Sequence, residues 1–382
     1  MYAYGGILRI LHWAFPFTVA KGGQSVFIER ISLEFSSWGH SVGIITSEIE
    51  ASVVPMLELH FENLVEFFEL PTVEVAFGGH SRTYGHVKNI IDGFAPEIIH
   101  IHNLESPMLV YLRSYLNMTP KRPKVIITVH DLSTLRKLKK LDLSLKLSDF
   151  FDVIIFPSKF MYETFAPSES IEKPKFKTIY NGVPRKQNVE PKDRNHPHLL
   201  FAADLQEHKG GLLLLNAWEK VFREFPNVTL TIAGDGPVRN FLEQYAKSMY
   251  FEQQVRFCGW LTQDQLDQEF RNDCVLVIPS VVGEAFGLIG AEASMAGVPI
   301  IAHRIGALKE IIVDKSTGLM VTPGDTSELA SKIRELLLNA DLRRSMGEAG
   351  HNWAIGNFQL TASAKSYEAI CRLLTNEENV AN

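Results

Sequence analysis

Cysteine is scarce in this chain. Its three cysteines, Cys258, Cys274 and Cys371, are odd in number and scattered, so no disulfide framework or metal-ligand spacing is visible. They suit a reducing cytoplasm. No apolar run approaches the roughly 18 residues of a membrane span. The apolar start, ILRIL at residues 7–11 and WAFPF at 13–17, is broken by Arg9, His12 and Pro16, and no small-residue cleavage site follows it. It predicts a first buried strand and not a secretory leader. Positive charge is in deficit: the net charge of −6 leaves no global field for nucleic acid or a membrane. Repeats and low-complexity tracts are missing. Gly234-x-Gly236 lacks the third glycine of a dinucleotide fingerprint, and the first half offers none, which argues against a nicotinamide enzyme.

What is present is apolar material for two cores. A chain of 382 residues with 46% hydrophobic and 21% charged residues divides into two domains of ordinary size. Strand-like runs alternate with helical stretches in both halves, the pattern of doubly wound α/β layers. Residues 1–184 read as the first Rossmann-like domain. Residues 185–197, polar and holding Pro191 and Pro197, read as the linker, and residues 198–356 as the second domain. In the first domain a helical segment ending at Gly39 places Val26, Ile31, Phe35 and Trp38 near one face.

The rest is organised around GEAFGLIGAEASMAGVP, residues 283–299. A strand-like run enters it at 274–278 and another leaves it at 298–302. Between them residues 286–296 read as a helix rich in Ala, Leu and Met, stopped by Gly297. Glu284 lies in the loop before the helix and Glu292 inside it, about 12 Å apart at a rise of 1.5 Å per residue. Between them stand the unpaired amides of the first turn near Phe286, Gly287 and Leu288, an anion site by virtue of the helix dipole. Gly287 has no side chain to hold a phosphate off the backbone. The order acid, anion site, acid matches sugar hydroxyls, diphosphate and ribose in a nucleotide sugar. Two solvated acids on a surface helix are the plainer alternative. That reading leaves the Gly-Glu-Ala-Phe-Gly loop unexplained.

The Glu284 to Glu292 segment, with Phe286-Gly287 between the acids and Ala296-Gly297-Val298-Pro299 after them, resembles the Glu-x7-Glu segment of family 4 retaining glycosyltransferases. The resemblance implies the GT-B fold: an α/β chain of two Rossmann-like domains facing across a cleft, with a C-terminal helix, residues 357–376, crossing back to the first domain. It implies that Glu284 contacts the transferred sugar and Glu292 the ribose, with Ala285, Phe286, Gly287 and Leu288 lining the donor site. Gly22-Gly23, a tight turn on its own terms, resembles the family's Gly-Gly facing donor and acceptor. His130-Asp131, just past a predicted strand at 124–129, resembles the family's Thr-x-His-Asp, whose His faces the donor sugar; a strand end is where α/β ligands bind. His100 and His102 read as structural or acceptor-side.

Lys209 resembles the family's diphosphate-binding Lys, and Gly259 with Trp260 the edge that holds the base, although Trp260 also reads as a rim residue. A loop at Gly306-Ala307-Leu308 resembles part of the donor pocket. The family carries an Arg five positions before the Lys, and here that residue is Asp204. A carboxylate about 4 Å from a phosphate charge would be opposed by roughly 4 kcal/mol at an effective dielectric of 20. Arg239 and Arg304 are candidate replacements, and a Mg²⁺ bridging Asp204 to the diphosphate is a minor alternative. No Asp-x-Asp stands at a strand end, so no cofactor or metal is expected to be required.

The function implied is transfer of a sugar, with retention, from a nucleotide-sugar donor, a UDP-sugar being favoured, to a hydroxyl of a glycan, lipid-linked or small-molecule acceptor. The alternatives are a catalytically weak nucleotide-sugar-binding relative, motivated by Asp204, and a GT-B phosphorylase or epimerase. The expected location is the cytoplasm. The stretch TLRKLKKLDLSLKL at 134–147 reads as a basic amphipathic surface for the inner membrane face, or as a solvated helix or acceptor loop. Its leucines drift out of helical spacing, which favours the second.

Overall fold

The computed structural model describes residues 6–14, 22–47, 65–70, 80–102, 104, 109–137, 150–165, 176–185 and 197–380. Lys21, residues 138–147 of the basic stretch and all of the linker but residues 185 and 197 lie outside them. The chain forms two compact units, Met1–Gly182 with Leu360–Asn382, and Val183–Gln359.

The first unit is a parallel sheet of β1 (Arg9–Trp13), β2 (Ser41–Ser47), β3 (Val65–Leu70), β4 (Ile98–Ile101), β5 (Lys124–Thr128), β6 (Val153–Phe156) and β7 (Phe176–Thr178), in the order β3-β2-β1-β4-β5-β6-β7. Runs such as IIHI and VIIF are buried along their whole length, because helices cover both faces of a parallel sheet. The helices include α1 (Gly23–Ser37), α2 (His80–Phe94), α3 (Leu109–Met118) and α4 (Lys159–Phe165). The C-terminal helix, Leu360–Val380, also belongs here: Tyr367 is fully buried, with its ring 5.6 Å from that of Phe27 on α1. This helix is shifted from the expected 357–376: it starts at 360, since residue 357 ends the helix before it, and runs on to 380, where no Gly or Pro interrupts it. On α1 the buried apolar stripe is Phe27, Ile28, Ile31 and Phe35. Val26 and Trp38, expected on that face, are only partly buried, because Phe27 and Ile28 hold the positions in register with Ile31 and Phe35.

The second unit carries β8 (His198–Ala202), β9 (Leu230–Ala233), β10 (Val255–Gly259), β11 (Cys274–Ile278), β12 (Ile300–His303) and β13 (Gly318–Val321) in the order β10-β9-β8-β11-β12-β13. Its helices are α5 (Gly211–Glu219), α6 (Arg239–Ser248), α7 (Gln263–Arg271), α8 (Leu288–Met295), α9 (Leu308–Ile311), α10 (Thr326–Leu338) and α11 (Ala340–Asn357). Leu214, Trp218, Leu230, Ile232, Val277, Ile301, Leu329 and Ile333 meet in one core. Thr262 and Gln265 form a capping box on α7, and Asp325 caps α10 through Ser327 and Glu328. The buried Arg343 of α11 holds Asp273 at the start of β11, 2.5 Å from Nη2 to Oδ2. Among the described residues no helix is long and apolar enough to cross a membrane.

The helix of the organising stretch starts later than its composition predicts, at Leu288 and not at 286. Gly287 explains the difference: its φ of +92° is left-handed, so it caps the helix from outside. A Cβ there would also stand 2.7 Å from Leu308 Cδ2.

Candidate active site

From β8 the second unit's chain runs outward through β9 to β10, then returns to lay β11 on the other side of β8. At such a switch point the loops leaving the strands' carboxyl ends diverge, and the crevice they open is where α/β sheets bind ligands. Lys209 stands in the loop after β8, and Glu284 in the loop after β11. The two loops are tied by the Val281 N–H, which donates to the His208 carbonyl at 2.9 Å.

The side chains meet across the tie. Lys209 Nζ lies 2.8 Å from Glu284 Oε1 and 3.0 Å from Oε2. Both are mostly enclosed, at 23% and 18% exposure, so water screens the pair less than it would at the surface. An ammonium has three N–H donors; the carboxylate takes two and leaves one for a further acceptor. Ser280 Oγ donates to Glu284 Oε1 at 2.6 Å. Behind it His303, at the end of β12, pairs Nδ1 with the Ser280 carbonyl at 3.0 Å and so donates there. Burial lowers the His303 pKa, which keeps the imidazole neutral at pH 7. The loop after β12 closes on the backbone of the same acid: the Ala307 N–H donates to the Glu284 carbonyl at 3.0 Å. Gly306, at φ +56°, makes that approach, and a Cβ there would stand 2.6 Å from Glu284 N and 2.8 Å from its carbonyl oxygen.

Glu284 leads directly into α8. Gly290 donates to the Gly287 carbonyl at 2.9 Å, so the amides of Leu288 and Ile289 come before the first intrahelical bond and point out of the helix end. Phe286 is not part of that turn. Its ring is 4% exposed and packs edge-on against Phe358, with centroids 5.6 Å apart. Ala285 lies in the same loop. Glu292 sits in the middle of α8 and is buried, not out on a surface face.

Gly259 ends β10 with its carbonyl accepting from Gly234 N at 2.6 Å, and Trp260 beside it is 41% exposed. Arg239 reaches this edge, its Nη1 3.4 Å from where a Cβ on Gly259 would be. Both arginines proposed to replace the missing one are already paired, Arg239 with Asp235 and Glu243, and Arg304 with Asp314. Asp204 is exposed, and among the described residues no cation pairs with it.

In the first unit Gly22 caps the start of α1 at φ +77°, and Gly23 opens the helix. His130 follows β5. Its Nε2 lies 3.0 Å from His102 Nδ1, and burial pushes its pKa down to about 4, against an upward pull from Asp131. Reading the sequence alone missed Ser280, His303 and His12. A serine and two histidines inside apolar strands or at their ends have ordinary structural uses, and only the strand order shows what they face.

Two family models match, "Glycosyl transferases group 1" over residues 183–353 and "Glycosyltransferase Family 4" over residues 21–187. The chain is 24% identical to N-acetyl-alpha-D-glucosaminyl L-malate synthase of Bacillus anthracis over 372 residues, 91% of this chain and 93% of that one. Among solved structures it is similar to HepE of Anabaena in complex with UDP and glucose, with a TM-score of 0.76 at 18% identity over 95% of this chain and 99% of that one. It is also similar to a glycosyltransferase from Rickettsia africae, with a TM-score of 0.77 at 20% identity over 97% and 99%. These likenesses show the GT-B fold. With both models placed, and the sheet order and motif segment as described, the chain belongs to the family 4 glycosyltransferases.

Proposed function

We propose that the protein is a retaining glycosyltransferase that moves a hexosyl group from a UDP-sugar to a hydroxyl of a glycan, lipid-linked or small-molecule acceptor, with no metal required. The observation that carries the reading is the Lys209–Glu284 pair at the switch point, in the loop that feeds the open amides of α8. HepE, bound to UDP and glucose, supports the donor class.

In this reading the bond from the sugar's anomeric carbon to the diphosphate breaks, and a bond to the acceptor oxygen forms on the same face. The acceptor's proton passes to the departing phosphate oxygen. Charge accumulates on that oxygen, and the remaining N–H of Lys209 and the amides of Leu288 and Ile289 are donors for it. Such preorganised donors lower the barrier without reorganising. Glu284, held by Lys209 and Ser280, accepts from the sugar hydroxyls. The remaining roles rest on the family resemblance: Glu292 on the ribose, Gly259 and Trp260 at the base, and His130 with Gly22-Gly23 orienting the sugar.

The test is nucleotide release from a panel of nucleotide sugars, with a thermal shift for each donor. A bound donor at a hundred times its dissociation constant stabilises by about 2.7 kcal/mol. An absence of both turnover and stabilisation with every donor would sink the reading. Asp204, exposed and without a cation partner among the described residues, favours a second one, a nucleotide-sugar-binding relative with weak catalysis. Asp204→Arg separates the two. A large gain in donor affinity supports the weak relative, and a loss gives Asp204 a task of its own.

A further inference from the structure

Four histidines of the first unit form a connected group: His12 on β1, His100 and His102 from β4 and its end, and His130 after β5. Strand register brings them together, since His12 stands opposite His100 in the β1–β4 pairing. His12 Nδ1 lies 2.9 Å from His102 Nε2, and His102 Nδ1 lies 3.0 Å from His130 Nε2. His12, His100 and His102 are buried, while His130 keeps part of its surface open. Phe27 covers the row, its ring 5.9 Å from His102 and 5.0 Å from His130. At the inner end His12 Nε2 is buried and has no hydrogen-bond partner among the described residues.

We propose that this row of imidazoles fixes the tautomer of His130, with His102 as the positioning residue, so that His130 presents an Nδ1–H donor. That this donor meets the transferred sugar rests on the function proposed above.

The direction follows from the orphaned nitrogen. A neutral imidazole carries one N–H. If His12 carried it on Nε2, a donor would be buried without an acceptor, at a cost of about 1–3 kcal/mol. Carried on Nδ1, the hydrogen is donated to His102 Nε2, and what stays unpaired is a bare ring nitrogen, the smaller loss. His102 must then hold its own hydrogen on Nδ1 and give it to His130 Nε2. An accepting Nε2 leaves His130 with its hydrogen on Nδ1. Each ring must be neutral for this, and burial lowers every one of the four pKa values, that of His12 to about 3. Asp131, which pulls His130 the other way, is itself occupied by the Thr134 N–H and hydroxyl at 2.8 Å each. His100 lies on a side branch, its Nε2 2.8 Å from Thr128 Oγ1, which is 3.1 Å from the Tyr367 hydroxyl.

His12, His100 and His102 also have nitrogens within 4.8 Å of one another, close enough to suggest a metal. The hydrogen-bonded row fits better. Two nitrogens on one tetrahedral zinc stand about 3.3 Å apart, given Zn–N bonds near 2.05 Å. The observed 2.9 Å is a hydrogen-bond distance. No carboxylate acts on these three rings to offset a dication's charge.

The test is long-range proton–nitrogen NMR on full-length protein labelled at its histidine ring nitrogens, at pH 7. His12 and His130 are expected as Nδ1–H tautomers. In His102→Leu, which removes the donor to His130 Nε2, His130 should shift to the Nε2–H form that free imidazole favours. In His102→Asn, whose amide N–H replaces the Nδ1–H, it should return. If His102→Leu does not fold, the wild-type and His102→Asn spectra still decide. An Nε2–H or charged His130 in the wild type, a His130 unmoved by His102→Leu, or stoichiometric metal in the purified protein would overturn the proposal. With UDP-glucose as probe donor, kcat/KM should fall about tenfold in His102→Leu, the worth of one hydrogen bond, and recover in His102→Asn. If the tautomer moves and turnover does not, the contact between His130 and the sugar is wrong while the tautomer assignment stands.

Discussion

Lys209 and Glu284, 75 residues apart in sequence, meet with both carboxylate oxygens within 3.0 Å of one ammonium. Family resemblance gives them separate tasks, one on the diphosphate and one on the sugar. The geometry makes them one unit, because Glu284 holds the Lys209 ammonium in place through both of its oxygens.

In the proposed chemistry, Lys209→Ala removes a leaving-group donor and also frees Glu284 to move. We expect kcat to fall by about 10²- to 10³-fold, the usual loss on removing one such donor. Glu284→Gln should fall comparably, and the double variant should lose much less than the product of the two single losses. Steady-state nucleotide release measures all three; full additivity would show that the residues act independently.

Gly306 presses its backbone against that of Glu284. Gly306→Ala puts a Cβ 2.6 Å from Glu284 N, and backbone cannot yield as a flexible side chain can. We expect a loss of about 1–3 kcal/mol in stability, as for other strained backbone positions. A kcat/KM deficit should remain in protein that is still folded. Urea unfolding and turnover assays on the same preparation check both.

Arg343 and Asp273 form a buried pair, 4% and 6% exposed, joining α11 to the start of β11. Asp273→Ala leaves a guanidinium buried without its counter-charge. The expected cost is about 3–5 kcal/mol, read as a fall in the urea midpoint. The change lies at the amino end of β11, so donor affinity of the folded fraction should hold.

The histidine row makes the fold acid-sensitive. The folded-state pKa values of His12 and His130 are lowered to about 3 and about 4, below the unfolded value near 6.5. Between those limits the unfolded chain binds more protons, so stability is full above pH 6.5 and falls as pH drops towards 4. Each histidine that takes up a proton on unfolding contributes a slope of up to about 1.4 kcal/mol per pH unit. Denaturation midpoints measured from pH 7.5 to 4.5 should stay level down to about pH 6.5 and fall below it, and His12→Asn should flatten the fall.

Much of this could be read from the sequence, for physical reasons. Fully buried parallel strands leave continuous apolar runs, so CVLVI at 274–278 announces β11. Glycine marks helix ends, as Gly39 and Gly297 do, both at positive φ. The placement of α8 was blurred because Phe286 suits a helix by composition, while Gly287's left-handed φ keeps it outside. The pairing of Lys209 with Glu284 and the line from His303 through Ser280 depend on which strands are neighbours. Strand order is a property of the folded sheet and leaves no mark on local sequence. His12 was hidden for the same reason, since a lone histidine in an apolar strand looks like a core residue until β1 and β4 lie side by side.

The most direct test of the proposed chemistry is the anomeric configuration of the product. An α-linked UDP-sugar that turns over should be followed by proton NMR of the first-formed glycoside. Same-face displacement predicts an α-linked product. A β-linked product would contradict it.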